Sequence, residues 1–136
     1  MNHYPSTSPD SPTLLLVDDE ASALEAWALL LSLHEFSVHT ASDGNRALQL
    51  AKATCPHLII TDLMMPIMDG LALCRALRAD PDLAKIPIIL WTAATRPLKE
   101  KGALGLLFER CLTKPVAFET LVEHARTLIG PLAPRI

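Results

Sequence analysis

Residues 14–19 read Leu14-Leu15-Leu16-Val17-Asp18-Asp19, an apolar run that stops at two acids. Three later apolar runs stop in the same way, at Asp62, Thr92 and Lys114. Short and nearly continuous apolar runs are typical of parallel strands that are buried on both faces. Open sheets of parallel strands bind ligands at the carboxyl ends of the strands. The chain therefore predicts a sheet with carboxylates, a hydroxyl and an ammonium at one edge.

Strand and helix patterns alternate along the chain. The second predicted strand alternates polar and apolar residues, which is typical of an edge strand. Strands separated by helices and short connections favour an α/β fold, in which helices cover both faces of a parallel sheet. The predicted strands cover residues 14–17, 37–41, 58–61, 86–91 and 111–113.

The helical patterns between the strands differ in strength. The fourth is the weakest, since it opens at Pro97 and contains Gly102 and Gly105, which cost ~1 kcal/mol each relative to alanine. The fifth is the clearest and stops at Gly130-Pro131. Its predicted buried stripe is Phe118, Leu121, Val122, Ala125, Leu128 and Ile129. The stripes of the first three are Leu24, Trp27, Leu30 and Leu31; Ala47, Leu50 and Ala51; and Leu73, Cys74 and Leu77.

Composition excludes several classes of protein. Half of the 136 residues are hydrophobic and 20% are charged, which indicates one folded domain with a proper core. The net charge of -3 gives no reason to expect direct nucleic-acid binding, and no apolar stretch is long enough for membrane insertion. The three cysteines lack zinc spacing and no secretory signal is visible, so we expect a cytoplasmic protein with reduced thiols.

The ends of the chain differ in composition from the middle. Residues 1–12 are rich in proline and serine and are predicted to form a flexible N-terminal tail. Residues 13–130 are predicted to form the folded domain, and residues 131–136 a short C-terminal tail.

The predicted sheet edge collects three carboxylates, those of Asp18, Asp19 and Asp62. Two carboxylates about 4 Å apart repel by about 4 kcal/mol at an effective dielectric near 20, so a proton or a cation must lie between them. Oxygen ligands favour Mg²⁺ over zinc. With Lys114 nearby, the cluster predicts a phosphoryl site in which Asp62 is the nucleophile. Thr92 is expected to donate to a phosphoryl oxygen, for which Ala93 leaves space. An acid pair alone commonly starts a helix, but four polar strand ends together are harder to explain as helix caps.

These residues resemble the receiver domain of two-component response regulators. The resemblance covers residues 14 to 129, and its most specific part is the segment from Asp62 to Gly70. It implies a flavodoxin-like, doubly wound (βα)5 fold with a five-stranded parallel sheet of order 2-1-3-4-5. The chain is similar to stand-alone, chemotaxis-regulator-like members, and a piece of a larger protein is the alternative that the sequence leaves open. The matching motifs are Asp18-Asp19, Asp62-Leu63-Met64-Met65-Pro66-Ile67-Met68-Asp69-Gly70, Thr92-Ala93 and Lys114-Pro115.

The resemblance implies a phosphorylation chemistry. Asp62 would accept a phosphoryl group from a histidine kinase or a phosphotransfer protein. Asp19 and Asp62 would bind Mg²⁺ together with the backbone carbonyl of Met64, and Asp18 would hold metal-bound water. The protein would therefore be a phosphorylatable switch with at most slow loss of the group to water, rather than an enzyme with turnover.

The resemblance also assigns roles around this centre. Lys114 would bind the phosphoryl group, and Thr92 would move toward it. The Lys114-Pro115 bond would be cis, Pro66 would stiffen the following loop, and Gly70 would allow the turn into the third helix. The phosphoryl charge would shift an equilibrium between two surfaces, with the fourth predicted helix and its neighbours as the moving element. A downstream protein would bind the face formed by the fourth helix, fifth strand and fifth helix.

Some positions depart from the family pattern. Cys111 stands where many members carry Tyr or Phe, so the inward swing of an aromatic ring is not predicted here. Residues 106–108 are Leu106-Leu107-Phe108 in place of small residues, and we expect a mixture of core and partner surface. Trp91 is predicted to pack under a helix on the opposite side of the sheet from the site.

Other classes of protein fit less well. A haloacid-dehalogenase-like phosphatase needs an acid two residues after the nucleophile, where this chain has Met64, and it also needs a substrate cap. A flavin carrier of the same fold needs a hydroxyl-rich phosphate loop, where this chain has acids. The alternative that stays open, because of Cys111, is a degenerate receiver that binds partners without phosphorylation.

Overall fold

The computed structural model describes residues 2–6, 10–93 and 107–131. The fourth predicted helix falls mostly outside these residues. Among the described residues, no helix has the length and apolar character that crossing a bilayer requires. The strands are β1 (Asn2–Tyr4), β2 (Thr13–Val17), β3 (Ser37–Ala41), β4 (Leu58–Asp62), β5 (Ile88–Thr92) and β6 (Arg110–Thr113). The helices are α1 (Ala21–Ser32), α2 (Gly44–Thr54), α3 (Gly70–Ala79) and α4 (Phe118–Ile129).

One sheet contains the strands in the order β1-β3-β2-β4-β5-β6. The five strands from β2 to β6 are parallel, and their order is the one that the resemblance implies, so the predicted fold is confirmed. Every residue of β4 and β5 is buried. Such strands form in the middle of a sheet because helices cover both of their faces.

Strand β1 differs from the prediction. Its residues lie in the segment predicted to be a flexible tail, but they pair antiparallel with β3. Without β1, the strand β3 would present unpaired N–H and C=O groups, which are a template for a further strand. The rings of His3 and His39 stack across this pairing with centroids 4.1 Å apart, and His3 Nε2 lies 2.8 Å from Ser37 Oγ. The N-terminal residues therefore cover the edge that β3 would otherwise expose.

The sheet separates two apolar clusters. One lies under α2 and α3 and contains the stripes predicted for those helices. The other lies under α1 and α4 and includes Trp91, as predicted for its packing under a helix. The stripe predicted for α1 is wrong at Leu30, which is 43% exposed, while Ala28 is buried. Residues 24, 28 and 31 follow the helical repeat more closely, so they face the sheet and Leu30 faces away.

Arg78 on α3 connects that helix to the chain on either side of β5. Its Nη2 donates to both oxygens of the Glu109 carboxylate, at 2.9 and 3.2 Å, and Glu109 accepts the Ile88 N–H at 2.6 Å. These contacts fix where β6 joins the sheet, and therefore the position of Lys114, which directly follows β6. The same guanidinium donates to three backbone oxygens, at 3.2 Å to Leu107, 2.9 Å to Ala84 and 2.7 Å to Ile86.

Replacing Arg78 by lysine keeps the charge but removes the fork of N–H donors. We expect Arg78→Lys to lower the free energy of unfolding by about 2–4 kcal/mol, because half-buried carbonyl oxygens lose their partners. Urea unfolding measures this change. The matched control is Arg75→Lys at an exposed position of the same helix, which should change stability by less than about 0.5 kcal/mol. Equal stability of the two variants would contradict the role of Arg78.

The pairing of β1 with β3 predicts a dependence of stability on pH. Burial, followed by the charge of His3, lowers the pKa of His39 below its ordinary value of 6.5. The folded state then binds the proton less tightly than the unfolded state, so stability is lost as the pH falls from about 6.5 toward the lowered pKa. Urea unfolding at about pH 7.5 and about pH 5.5 should show a larger acid loss in the wild type than in His39→Asn. An identical acid loss in both proteins would count against this coupling.

Candidate functional site

The register of the parallel strands brings the polar strand ends together. Val17 pairs with Thr61, so the following residues Asp18 and Asp62 stand side by side at the sheet edge. Alternation along each strand directs both carboxylates to the face covered by α1 and α4. The predicted meeting of the strand ends is confirmed for these two acids.

Asp18, Asp19 and Asp62 form a cluster of carboxylates. One ligand oxygen from each lies within 4.8 Å of those from the other two. Asp18 is 2% exposed and Asp62 is 9% exposed, while Asp19 is open to solvent. Hard divalent cations prefer oxygen donors in such an arrangement, so the three residues can hold one.

Lys114 joins two of these carboxylates. Its Nζ donates to Asp18 Oδ2 at 2.8 Å and to Asp62 Oδ2 at 3.1 Å. Burial alone would lower the pKa of Lys114, but the hydrogen bonds and charges of the two carboxylates outweigh it and raise that pKa above its ordinary value. The ammonium therefore keeps its charge at neutral pH and offsets the repulsion between the two acids.

Backbone N–H groups orient the other oxygens of the same carboxylates. Asp18 Oδ1 accepts from the Glu20 N–H at 3.0 Å, and Asp62 Oδ1 accepts from the Met64 N–H at 3.3 Å. Each carboxylate thus has one oxygen toward Lys114 and one toward the loop that follows its strand. These hydrogen bonds fix the orientation of both carboxylates.

Thr92 and Lys114 are connected through the backbone. Thr92 is the last residue of β5 and is 1% exposed, and Ala93 beside it is exposed. The Lys114 N–H donates to the Thr92 carbonyl oxygen at 2.9 Å. The Lys114-Pro115 peptide bond is cis, as the resemblance implies.

The turn after Asp62 needs glycine at its end. A side chain at Gly70 would overlap the carbonyl oxygen of Asp62, and the Gly70 N–H donates to the Leu63 carbonyl at 2.8 Å. The preceding Asp69 caps α3, since its carboxylate accepts the Ala72 N–H at 2.8 Å. This acid of the motif therefore starts a helix, in contrast to Asp62.

The tip of the same loop is strained. The Met68 N–H donates to the Pro66 carbonyl at 2.8 Å, which closes a three-residue γ-turn around Ile67. Ile67 has φ of 71° and is 99% exposed. A positive φ is unfavourable for a β-branched residue, and Ile67 buries no surface in exchange. Met64 in this loop is also exposed, and so is Pro66.

Two predicted departures occupy the opposite face of the sheet. Cys111 is half-buried and packs against the cluster under α2 and α3, as do Leu107 and Phe108. The mixture of core and surface predicted there is consistent with their partial exposure, and Leu106 lies outside the described residues. A small residue at position 111 fits this packing without an aromatic ring.

The sequence analysis did not identify Trp91 as part of the site. Trp91 packs under a helix as predicted, but the predicted side of the sheet is wrong. It lies on the same face as Asp18 and Asp62, and Lys114 Nζ is 5.2 Å from the centroid of its ring. Asp62 and Trp91 are register partners on neighbouring strands. Their adjacency was detectable in principle, because both residues stand at the carboxyl ends of neighbouring predicted strands.

Comparison with known proteins agrees with this geometry. The family model of the response regulator receiver domain matches residues 14–126. The response regulator MprA of Mycolicibacterium vanbaalenii is 35% identical over 121 residues, which are 89% of this chain and 52% of that protein. The chain therefore spans about half the length of the curated relatives it matches.

Solved receiver structures have the same fold. The chemotaxis response regulator CheY4 of Vibrio cholerae superposes with a TM-score of 0.78 at 30% identity, over 87% of this chain and 98% of that one. The receiver domain of a signal transduction histidine kinase from Syntrophus aciditrophicus gives a TM-score of 0.79 at 33% identity, over 88% and 90% of the two chains.

Relief of the strain at Ile67 should stabilise the protein. Glycine adopts positive φ freely, which removes the strain, but it also gives the unfolded chain more entropy. The net effect of Ile67→Gly should be a free energy of unfolding higher by about 1 kcal/mol. Urea unfolding measures the change. Ile67→Val keeps the β-branch and the strain, and should match the wild type. A glycine variant no more stable than the valine variant would refute the strain.

Proposed function

Because the chain belongs to the response regulator receiver domain family, we propose that Asp62 is its phosphoacceptor in two-component signal transduction. A receiver domain is a signalling switch rather than a classical enzyme, and it implies a histidine kinase as partner. The phosphoryl donor in this proposal is a histidine kinase or a phosphotransfer protein of the cytoplasm.

The observation that carries the proposal is the shared hydrogen bonding of Lys114. One ammonium contacts both Asp18 and Asp62, next to the solvent-exposed Asp19. An incoming phosphoryl group brings negative charge to a pocket that already holds three acids. Only a pocket with compensating positive charge can accept that group, and Lys114 supplies part of it.

The donor set fits Mg²⁺. The carboxylate oxygens of three aspartates lie close enough to share one ion, and hard oxygen donors suit it. Asp19, Asp62 and the Met64 backbone carbonyl would hold the ion, and Asp18 would hold metal-bound water. When bound, Mg²⁺ offsets the negative charge of the phosphoryl oxygens.

The residues of the chain perform the transfer as follows. A carboxylate oxygen of Asp62 forms a bond to phosphorus while the bond from phosphorus to the donor imidazole breaks. The electron pair of that bond stays on the imidazole nitrogen, and Asp62 becomes an acyl phosphate. Lys114 turns an N–H from Asp62 to a phosphoryl oxygen, and the Thr92 hydroxyl donates to another, for which Ala93 leaves space.

In this proposal, phosphorylation changes the position of β6 and of the elements next to it. The Lys114 N–H is bonded to the Thr92 carbonyl, so a shift of either residue moves the ends of β5 and β6 together. The downstream partner in this proposal is a protein that binds the face containing β6 and α4. The half-buried Leu107 and Phe108, just before β6, pack on the α3 side of this edge, and their exposed parts add apolar surface beside it.

Intact-mass spectrometry after incubation with acetyl phosphate tests the proposal. We expect the wild type to gain one phosphoryl group in the presence of Mg²⁺, and Asp62→Asn to gain none, because an amide cannot form the acyl phosphate. The matched control is Asp69→Asn in the same loop. Asparagine also caps a helix, so this variant should fold and become phosphorylated.

Two results would contradict the proposal. The first is an adduct that persists in Asp62→Asn, which would place the phosphoryl group elsewhere. The second is a folded wild type that gains no adduct from acetyl phosphate and whose tryptophan fluorescence does not respond to BeF₃⁻. That second result would favour the degenerate receiver, which binds partners without phosphorylation.

A further inference from the structure

Trp91 lies against the charged centre of the site. It is the register partner of Asp62, it is 1% exposed, and its side chain is on the face covered by α1 and α4. The Lys114 Nζ is 5.2 Å from the centroid of its ring. An ammonium within about 6 Å of an aromatic ring is attracted by the negative face of the ring, and the attraction is strongest for tryptophan.

Packing alone does not account for an indole at this position. The Trp91 Nε1 is buried and has no hydrogen-bond partner among the residues that the structure describes. A buried N–H without a partner costs free energy, and a phenylalanine or leucine would fill apolar space without that cost. The property that tryptophan adds here is the electron-rich face that it presents to Lys114.

One further ring orients the indole, and another ring stacks on that one. Trp27 of α1 meets Trp91 edge to face, with centroids 5.3 Å apart and an angle of 68° between the planes. Phe118, at the start of α4, stacks on Trp27 at 6.0 Å. The face of Trp91 is therefore oriented by its contact with α1, and α4 supports that contact through Phe118 and Trp27.

We propose that Trp91 is a positioning residue for phosphoryl transfer, whose ring face holds the Lys114 ammonium over the acid pocket. The inference rests on the proposed function of Asp62 as phosphoacceptor. A neutral ring attracts the ammonium without adding a fourth negative charge to repel the phosphoryl group. The ring also does not need a directed hydrogen bond from the Lys114 ammonium. The three N–H groups of Lys114 therefore remain available for Asp18, Asp62 and a phosphoryl oxygen.

Graded fluorination of the ring separates this role from packing. In the Trp27→Phe background Trp91 is the only tryptophan, so 5-fluoro-, 5,7-difluoro- and 5,6,7-trifluorotryptophan can be incorporated at that position alone. Fluorine withdraws charge from the ring face and changes its shape little. We expect the rate of phosphorylation by acetyl phosphate at fixed Mg²⁺ to fall stepwise with each fluorine, by about fivefold across the series.

Side-chain replacements give a second measure. Trp91→Leu should slow phosphorylation by about fivefold to tenfold, and Trp91→Phe, which keeps a weaker ring, should slow it less. Trp27→Phe keeps an aromatic ring beside Trp91, and its own rate is the reference for the fluorinated series. Urea unfolding of each variant shows whether it is folded under the assay conditions.

A measurement that does not require phosphorylation tests the contact of Trp91 with Lys114 even if the proposed function is wrong. The ring current of Trp91 should shift the NMR signals of the Lys114 ε-methylene protons upfield in the wild type, and this shift should vanish in Trp91→Leu. A wild type that shows the shift but takes no phosphoryl group would contradict the role of Asp62 and, with it, the catalytic benefit of Trp91. If the wild type is phosphorylated, two results would overturn the positioning role alone. One is a phosphorylation rate that does not change with fluorination of Trp91, and the other is a Lys114 ε-methylene signal without the upfield shift.

Discussion

Asp18 and Asp62 end neighbouring parallel strands in register, so their carboxylates must lie side by side on one face of the sheet. At about 4 Å such a pair repels by about 4 kcal/mol at an effective dielectric near 20. Lys114 contacts both at 2.8 and 3.1 Å, and each attraction is about as large as the repulsion or larger. One ammonium thus offsets the repulsion between the two carboxylates. The residues around the pocket must therefore keep that ammonium in place.

The position of Lys114 depends on residues far from the pocket. It follows β6, and β6 joins the sheet through contacts that include the Arg78–Glu109 pair and the bond from Glu109 to the Ile88 N–H. Trp91 acts from the other side of the sheet, where Trp27 of α1 packs edge to face against its ring. Structural residues of α3 and of the aromatic cluster therefore support the same charged group from opposite faces of the sheet.

Part of this arrangement could be predicted from the sequence because it depends on strand periodicity. The apolar runs that end at Asp62 and Asp18 are buried on both faces, and strands of that kind place their ends at one edge. Strand β1 could not be predicted, since residues 2–4 carry no strand pattern and their strand consists of the pairing with β3, which is distant in sequence. The contact of Trp91 with Lys114 depends on register and side-chain orientation, which periodicity does not specify.

The central claim is that the carboxylate of Asp62 becomes an acyl phosphate. Borohydride reduces an acyl phosphate to an alcohol and would convert a phosphorylated aspartate into homoserine, which peptide mass spectrometry locates in the sequence. After treatment with acetyl phosphate and Mg²⁺, the account predicts homoserine at position 62 and at none of the other acids of the pocket. Homoserine at position 18 or 19, or its absence from a protein that carries the phosphoryl adduct, would contradict it.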